Sequence, residues 1–313
     1  MEKTKLIVIA GPTASGKTAL GVSLAKAFDG EVVSADSMQI YKGMDTGTAK
    51  PTREEMQGVP HHLIDFWPPE KPFSVAVYVA LARQAIADID SRGKCPILAG
   101  GTGLYINSVI DNIELSPVEG DPAYRQALFH RAEEEGGEVL LEELAQVDDE
   151  TARRLHPKDV TRVVRALEVF HATGVPQSEH IRRSRQNPSP YDVCLIGLAF
   201  EDRQRLYDRI DRRVDTMFQK GLLEEVRQVM ALGTDATAVQ AIGYKELAPY
   251  FHGLLSLEEA AENLKRETRR YAKRQLSWFR RNENVRWLYV DAYESPQALL
   301  DAAEAIAASF LKK

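Results

Sequence analysis

The clearest chemical signal in the chain is a glycine-rich loop near its start. Gly11-Pro12-Thr13-Ala14-Ser15-Gly16-Lys17-Thr18 fits the pattern G-x-x-x-x-G-K-[ST] between an apolar run and a helical pattern. In that setting the backbone amides of the loop and a helix N-terminus create a site for anions. Lys17 adds a positive charge for phosphoryl oxygens, and the Thr18 hydroxyl is placed to ligate Mg²⁺. The loop predicts diphosphate binding but does not identify the group attached to the phosphates.

Asp36 is the best candidate for acid–base chemistry. It directly follows the predicted strand Glu31–Ala35. In an open parallel sheet the carboxyl ends of the strands line one crevice, so Asp36 should face the molecule bound beside the phosphate loop. From the residues alone it can be a general base, a metal ligand or a helix N-cap.

The predicted strand Pro96–Ala99 ends in Gly100-Gly101-Thr102, where phosphoryl-transfer enzymes usually supply a second acid. The neutral Thr102 hydroxyl and the backbone amides can contact a leaving diphosphate or an incoming substrate. The alternative is a tight strand-to-helix turn without a chemical role.

Two arginines, Arg209 and Arg213, lie one turn apart on a predicted helix. They can form the second half of a diphosphate clamp. Because Asp208 and Asp211 are close in sequence, ordinary ion pairs on the helix surface are an equal alternative. His61-His62 is not interpreted as a metal site, since no further ligands stand at suitable spacing.

Short apolar runs alternate with helical patterns, which predicts an α/β fold with a P-loop NTPase-like parallel sheet covered by helices. The predicted strands are Lys5–Ala10, Glu31–Ala35, Pro96–Ala99, Val193–Ala199 and Arg286–Val290. The predicted helices of the core are Lys17–Phe28, Val75–Ile89, Asp202–Lys220, Leu222–Leu232, Leu257–Arg281 with a Ser256/Glu259 capping box, and one from Ser295-Pro296.

Residues 120–188 interrupt this alternation with helical patterns only. They include a helix opened by Asp121-Pro122 and the segments Glu138–Val147, Thr151–His156 and Asp159–Thr173. We therefore predict a helical insertion over 120–188, with the catalytic core formed by 1–119 and 189–313.

Charge is strongly segregated although the net charge is only -6. Residues 119–150 hold 2 basic and 11 acidic side chains, whereas 265–281 hold 8 basic and 1 acidic. The insertion adds Arg153, Arg154, Lys158, Arg162, Arg165, Arg182, Arg183 and Arg185. Its low aromatic content argues against a single-strand stacking platform and favours contact with the backbone of a structured nucleic acid.

Cys95 and Cys194 are isolated in apolar runs, which indicates reduced thiols in a cytosolic compartment. The first apolar run is too short for a signal peptide, and no segment is long enough to span a bilayer. We expect a soluble, cytoplasmic monomer without a membrane association.

Taken together, the motifs resemble those of the tRNA dimethylallyltransferases, also called isopentenyl-tRNA transferases. The resemblance extends over nearly the whole chain. It lies in Gly11–Thr18, Asp36–Tyr41, Gly43–Pro51, Pro60–His62, Gly100–Tyr105, Arg162–Phe170, Gln240–Tyr244 and Lys273–Arg280. The chain lacks the zinc finger of many eukaryotic members and resembles the compact bacterial type.

This resemblance implies transfer of a dimethylallyl group from dimethylallyl diphosphate to the exocyclic amine of the adenosine 3′ of a tRNA anticodon. It implies catalytic roles for Lys17, Thr18, Asp36 and Thr102, with Asp36 as general base and Mg²⁺ on Thr18. Ser37, Met38, Gln39 and Thr102 would border a flipped-out adenine. Contacts to the anticodon stem-loop would come from Thr161, Arg162, Val163, Val164, Arg165, Gln240, Ala241, Ile242, Gly243, Tyr244, Lys245, Lys273, Arg274 and Arg280.

Two other functions share parts of this pattern. A small-molecule kinase of the nucleotide or shikimate type also has a phosphate loop, an acid after the second strand and a Gly-Gly turn. An ATP-gated RNA-binding protein would use the loop as a switch and form no covalent product. Neither requires the strongly basic segment 265–281 together with the other motifs.

Overall fold

A computed structural model describes residues 3–113, 121–184, 186–233 and 237–312. Over these ranges the strands are β1 (Thr4–Ala10), β2 (Gly30–Ala35), β3 (His61–His62), β4 (Cys95–Gly100), β5 (Tyr191–Ala199) and β6 (Arg286–Tyr289). The helices are α1 (Lys17–Ala27), α2 (Arg53–Met56), α3 (Val75–Ser91), α4 (Gly103–Ile110), α5 (Pro122–Glu135), α6 (Gly137–Val147), α7 (Asp149–Ala152), α8 (Val160–Thr173), α9 (Gln177–Ser184), α10 (Arg203–Gln219), α11 (Leu222–Met230), α12 (Ala248–Phe251), α13 (Leu257–Phe279) and α14 (Pro296–Leu311).

The strands form one parallel sheet in the order β3-β2-β4-β1-β5-β6. Residues Leu6–Ala10 of β1 are fully buried, as expected for a parallel sheet with helices on both faces. The predicted α/β fold is confirmed. The two-residue edge strand β3 was not predicted, since two histidines carry no strand pattern.

The register of the sheet aligns three strand ends. Ala10 of β1 pairs with Gly100 of β4, and Gly100 pairs with Ala35 of β2. A Cβ on Gly100 would lie 2.1 Å from the Ala35 carbonyl oxygen, so the two backbones can approach only with glycine there. The phosphate loop, the Gly101-Thr102 turn and Asp36 therefore leave the sheet side by side.

Most helix boundaries follow from local signals in the sequence. The Ser256 hydroxyl accepts from the Glu259 amide and completes the predicted capping box of α13. The prediction of a helix over Thr151–His156 was wrong. The helix here is α7, which begins earlier because the Asp148 side chain caps it by accepting from the Thr151 amide. The helix cannot readily extend to His156, because Pro157 disfavours helical backbone at the residue before it.

The chain divides into two compact units, Met1–Ile110 with Pro190–Lys313, and Asp111–Ser189. The second unit is helical, and its core includes Leu128, Leu140 and Leu144. The predicted boundary residues 119 and 120, and the predicted basic residue Arg185, lie outside the described ranges.

In the part of the chain that the structure covers, none of the helices is both long and apolar enough to cross a lipid bilayer.

A buried carboxylate network connects the amino end of β2 to β3 and to the C-terminal cap of α3. The Glu31 side chain is only 5% exposed and accepts a bidentate pair from Arg92 at 2.5 and 2.8 Å. It also bonds His62 Nε2 at 2.7 Å. The hydrogen bonds from Arg92 lower the pKa of Glu31 from 4.5 to about 2, against the opposing effect of burial.

We predict that Arg92→Met destabilises the protein by about 2 kcal/mol, because Glu31 keeps its burial but loses its charged donor. Unfolded Glu31 titrates near 4.5 and folded Glu31 near 2. The stabilisation is therefore complete above pH 4.5 and disappears as the pH falls toward 2.

Urea unfolding at pH 7 and at pH 4 measures both effects, and the variant should differ less from the wild type at the lower pH. Arg227→Met is the control, since its ion pair with Glu224 is exposed on both sides and contributes at most ~1 kcal/mol. Equal destabilisation by the two variants would contradict the assignment.

Candidate active site

A cavity of about 790 Å³ opens at the carboxyl ends of β1, β4 and β2. Its wall is formed by the phosphate loop, by residues after β2, by the end of β4, and by side chains of α10 and α13. The lining includes Lys17, Thr18, Asp36, Arg213 and Gln275. All of these belong to the first compact unit.

The phosphate loop has the geometry of an anion site. Gly16 adopts φ 98° and precedes α1 without a side-chain cap, so the first amides of the helix remain available for a ligand. Lys17 Nζ folds back and donates to the Pro12 carbonyl at 2.6 Å. Burial and the nearby Arg213 lower the pKa of Lys17 to about 8, although Asp36 favours its charged form.

Arg209 and Arg213 both line this cavity, as the clamp interpretation requires. The neighbouring carboxylates are bonded elsewhere, Asp208 to Gln204 and Asp211 to Arg269. Arg213 donates from Nη2 to the Thr48 carbonyl at 3.4 Å, while its buried Nε has no hydrogen-bond partner within the described residues.

Burial also lowers the pKa of Arg213, and Asp36 opposes this effect. An anion in the cavity would satisfy the Nε donor and compensate the buried charge.

Asp36 both caps a turn and faces the cavity. Its Oδ1 accepts from the amides of Met38 and Gln39 at 2.9 and 3.3 Å. The helix N-cap interpretation was wrong, because a turn and not a helix follows Asp36. One oxygen of the carboxylate caps this turn, and Asp36 also lines the cavity.

The Thr102 hydroxyl lies directly beside the Asp36 turn. Its Oγ1 accepts from the Ser37 amide at 3.0 Å, and its own amide donates to the Ala35 carbonyl at 3.1 Å. The structure thus brings together the acid and the neutral hydroxyl that the sequence placed after two different strands.

Three tyrosines surround this acid. Tyr78 and Tyr105 stack with their ring centroids 4.0 Å apart, and the Tyr78 hydroxyl donates to the Ser34 carbonyl at 3.0 Å. Burial raises the pKa of Tyr78, Tyr105 and Tyr271, and the charge of Asp36 raises each of them further. All three phenols therefore stay protonated beside Asp36 and cannot compete with it as a base near neutral pH.

Glu225 of α11 anchors a loop that borders the cavity. Its two oxygens accept from the amides of Asp45, Thr46 and Gly47 at 2.9, 2.7 and 2.7 Å. The Tyr244 hydroxyl also donates to Oε1 at 2.7 Å. The anchored loop continues to Thr48 and Ala49, whose carbonyls accept from Gln39 Nε2.

The predicted tRNA-contacting residues are not equally accessible. Val163 and Val164 are buried in the core of the helical unit, and Tyr244 is fully buried beneath the Gly47 loop, so these three side chains hold structure in place. The exposed ones are Thr161, Arg162, Gln240, Lys245, Lys273, Arg274 and Arg280. Gln240, Ala241 and Ile242 line the cavity, while Arg165 and Gly243 lie outside its lining.

Sequence reasoning missed Gln275 and Glu225. Gln275 is the one described polar side chain of α13 that is buried, and it lies one turn after Tyr271 on the apolar seam of that helix. An uncharged polar residue on the seam of a basic helix was the available signal. Glu225 had none, because its partners are 178 to 180 positions away in sequence.

Magnesium fits the donors that the cavity offers. Thr18 and Asp36 contribute oxygen atoms to the same lining, and Mg²⁺ typically takes one or two protein oxygens together with water and phosphate. Within the described ranges, no three side chains among His, Cys, Asp and Glu are grouped to bind a metal by themselves.

The chain is similar to two families of prenyl-transferring enzymes and to individual tRNA dimethylallyltransferases. The family model "IPP transferase" matches residues 39–282, and the model "Isopentenyl transferase" matches residues 4–66. A tRNA dimethylallyltransferase of Geobacillus thermodenitrificans is 55% identical over 284 residues, covering 90% of each chain. One from Thermoanaerobacter sp. is 50% identical over 299 residues, covering 94% of this chain and 95% of its own.

The fold is also similar to solved structures of enzymes of this kind. The tRNA isopentenylpyrophosphate transferase of Bacillus halodurans is 45% identical with a TM-score of 0.74, covering 99% of this chain and 97% of its own. A eukaryotic dimethylallyltransferase acting on tRNA is 29% identical with a TM-score of 0.82, covering 99% of this chain and 80% of its own.

We predict that inorganic diphosphate binds more weakly above pH 8, because Lys17 loses its proton there with a pKa of about 8. The dissociation constant should rise up to ~tenfold per pH unit beyond that point. Calorimetric titration between pH 7 and pH 9.5 measures it. Lys17→Arg keeps its charge across this range. Diphosphate itself also titrates, but it does so equally for both proteins, so this effect cancels in the ratio of the wild-type and Lys17→Arg dissociation constants. A ratio that does not change with pH would contradict the prediction.

We also predict that Glu225→Gln destabilises the protein by about 1–3 kcal/mol, since one carboxylate oxygen that accepts hydrogen bonds is replaced by an amide donor. Glu224→Gln on the same helix is the matched control, because Glu224 is exposed and bonds only to side chains of α11 among the described contacts. Urea unfolding should separate the two variants, and equal free energies of unfolding would rule out the anchoring role.

Proposed function

The chain belongs to the IPP transferase family of tRNA dimethylallyltransferases, and from this membership we propose the reaction and the roles of the cavity residues. A dimethylallyl group passes from dimethylallyl diphosphate to the exocyclic amine of the adenosine 3′-adjacent to the anticodon in tRNA. The products are isopentenyladenosine and diphosphate. The observation that carries the proposal is the placement of the phosphate loop, Asp36 and two arginines around one cavity, with the Thr102 hydroxyl bonded to the Ser37 amide beside it.

The diphosphate is held by the loop Gly11–Thr18, through the backbone amides that follow Thr13, and by the side chains of Lys17, Arg209 and Arg213. Together they stabilise the negative charge that develops on the leaving oxygen as the carbon–oxygen bond breaks. The Thr18 hydroxyl would hold Mg²⁺. When bound, the ion would neutralise part of the charge of the diphosphate.

The adenine lies against Ser37, Met38, Gln39 and Thr102, and must be flipped out of the anticodon loop to reach the cavity. Its amine nitrogen forms the new bond to the allylic carbon, and the electron pair of the broken bond leaves with the diphosphate. Asp36 accepts the proton that the amine loses. Tyr271, which lines the cavity with Asp36, stays protonated and does not compete for this proton.

The anticodon stem-loop is expected to contact the exposed basic side chains of α13 and of the helical unit, chiefly Lys273, Arg274, Arg280 and Arg162. A monomeric state and a cytoplasmic location remain predictions from the sequence.

A kinase is disfavoured as the alternative function. The turn after β4 ends in a neutral Thr102 that accepts from the Ser37 amide, where a phosphoryl-transfer site usually has a second carboxylate. The relatives of this chain are prenyltransferases by name.

The test is incubation of the protein with Mg²⁺, unmodified tRNA and dimethylallyl diphosphate, followed by mass spectrometry of the nucleosides. We expect an adenosine that is heavier by one five-carbon prenyl group. Unchanged tRNA, with ATP consumed when small acceptors are supplied, would instead support the kinase.

Asp36→Asn separates the two roles of Asp36. An asparagine oxygen can still accept from the Met38 amide, so the turn is kept while the base is lost. We expect kcat to fall by about 10²–10⁴-fold with little change in melting temperature. Asp36→Ala should lose both activity and stability. Near-normal turnover by Asp36→Asn would eliminate Asp36 as the general base.

A further inference from the structure

Gln275 connects the two halves of the cavity through a single side-chain amide. Its Oε1 accepts from the backbone amide of Thr13 at 2.9 Å, and its Nε2 donates to the carbonyl of Gly101 at 2.9 Å. The side chain is buried, with the residue 6% exposed. One amide of α13 thus bonds to the phosphate loop after β1 and to the turn after β4.

The Gln275 amide also lies in tight van der Waals contact with Gly101. A Cβ on Gly101 would lie 2.2 Å from Gln275 Nε2, so the amide occupies the space that any side chain at position 101 would need. Gly101 has no positive φ that would require glycine by itself. The close approach of Gln275 is therefore a reason for glycine at this position.

The contacts of Gln275 also lead to Asp36, the proposed general base. Gly101 precedes Thr102, whose hydroxyl accepts from the Ser37 amide next to Asp36. Tyr271, one turn before Gln275, has its pKa raised by burial and by Asp36, while hydrogen bonds to Thr102 and Gln275 act in the opposite direction. The loop that binds the diphosphate and the turn that flanks the acid are thus both fixed to the same turn of α13.

We propose that Gln275 is a positioning residue that sets the phosphate loop and the Gly101-Thr102 turn at the spacing the transfer reaction requires. By occupying the Thr13 amide it fixes where the loop begins, so that the later amides face the diphosphate. By holding the Gly101 carbonyl it fixes Thr102 against the acid. The proposal rests on the proposed function, although its effect on the diphosphate site is independent of prenyl transfer.

The first test is Gln275→Met, which keeps the length of the side chain and removes both hydrogen bonds. We expect the Kd of inorganic diphosphate with Mg²⁺ to rise about tenfold, and kcat to fall by a similar factor at saturating tRNA and dimethylallyl diphosphate. Phe310→Leu is the stability control, because Phe310 is a buried residue of α14 outside the cavity lining. It should lower the melting temperature and leave both constants unchanged.

A second test uses protonation. In Gln275→Glu a protonated carboxyl can still donate to Gly101, whereas the carboxylate cannot, and burial raises its pKa. Activity relative to the wild type should therefore decrease as the pH rises from 5.5 to 8. The titratable and charged groups that line the cavity together with Gln275 are Lys17, Asp36, His61, Arg209, Arg212, Arg213 and Tyr271. They are present in both proteins, so the ratio isolates the introduced group.

A third variant approaches the same contact from the other side. Gly101→Ala places its Cβ where Gln275 Nε2 lies, so it should reproduce the effect of Gln275→Met. If both act through one contact, the double variant should be no worse than the more severe single variant.

A Gln275→Met protein with the Kd and kcat of the wild type would overturn the proposal, and so would a Gln275→Glu activity ratio that does not change with pH. Additive effects of Gly101→Ala and Gln275→Met would also overturn it. Weaker diphosphate binding by Gln275→Met in a protein whose wild type forms no prenylated adenosine would retain the positioning role of Gln275 and reject the proposed function. If the wild type forms prenylated adenosine and Gln275→Met has an unchanged Kd and kcat, the proposed function is retained and the positioning role of Gln275 is rejected.

Discussion

The close approach of β2 and β4 at Gly100 is the constraint on which the site depends. A parallel sheet brings strand ends to one edge, but a useful site also requires the segments that follow them to lie within reach of one another. Gly100 permits this because any side chain there would collide with the Ala35 carbonyl. With β4 between β1 and β2, its turn contacts the segment that begins with Asp36 and, through Gln275, the phosphate loop.

The charge of the cavity favours an anion as its ligand. Among its described lining residues Asp36 is the only carboxylate, whereas Lys17, Arg209, Arg212 and Arg213 are cationic. Burial lowers the pKa of Lys17 and Arg213, which means that desolvation destabilises their charged forms. A diphosphate would reverse that destabilisation, so its binding energy derives partly from relieving an unfavourable charge arrangement.

Local signals made the fold and half of the site predictable. The glycine-rich motif and the Ser256/Glu259 box are defined by residues within a few positions of one another, and both form as expected. Asp36 and Thr102 were found because strand ends in a parallel sheet have a known geometry. The sequence could not show that Gln275 bonds to Thr13 and Gly101, or that Glu225 bonds to the Gly47 loop. These partners are 174 to 262 positions apart in the sequence.

The same reasoning resolves the alternatives that the sequence left open for Asp36. A cap and a base appear to be competing roles only if the carboxylate is treated as one group. In this structure Oδ1 accepts both backbone amides of the turn, and these bonds hold the side chain in one orientation. On the proposed reaction the proton from the adenine amine then goes to Oδ2, the other oxygen of a carboxylate that is already fixed. Capping thus supplies the orientation that general-base catalysis needs, so the two roles support each other.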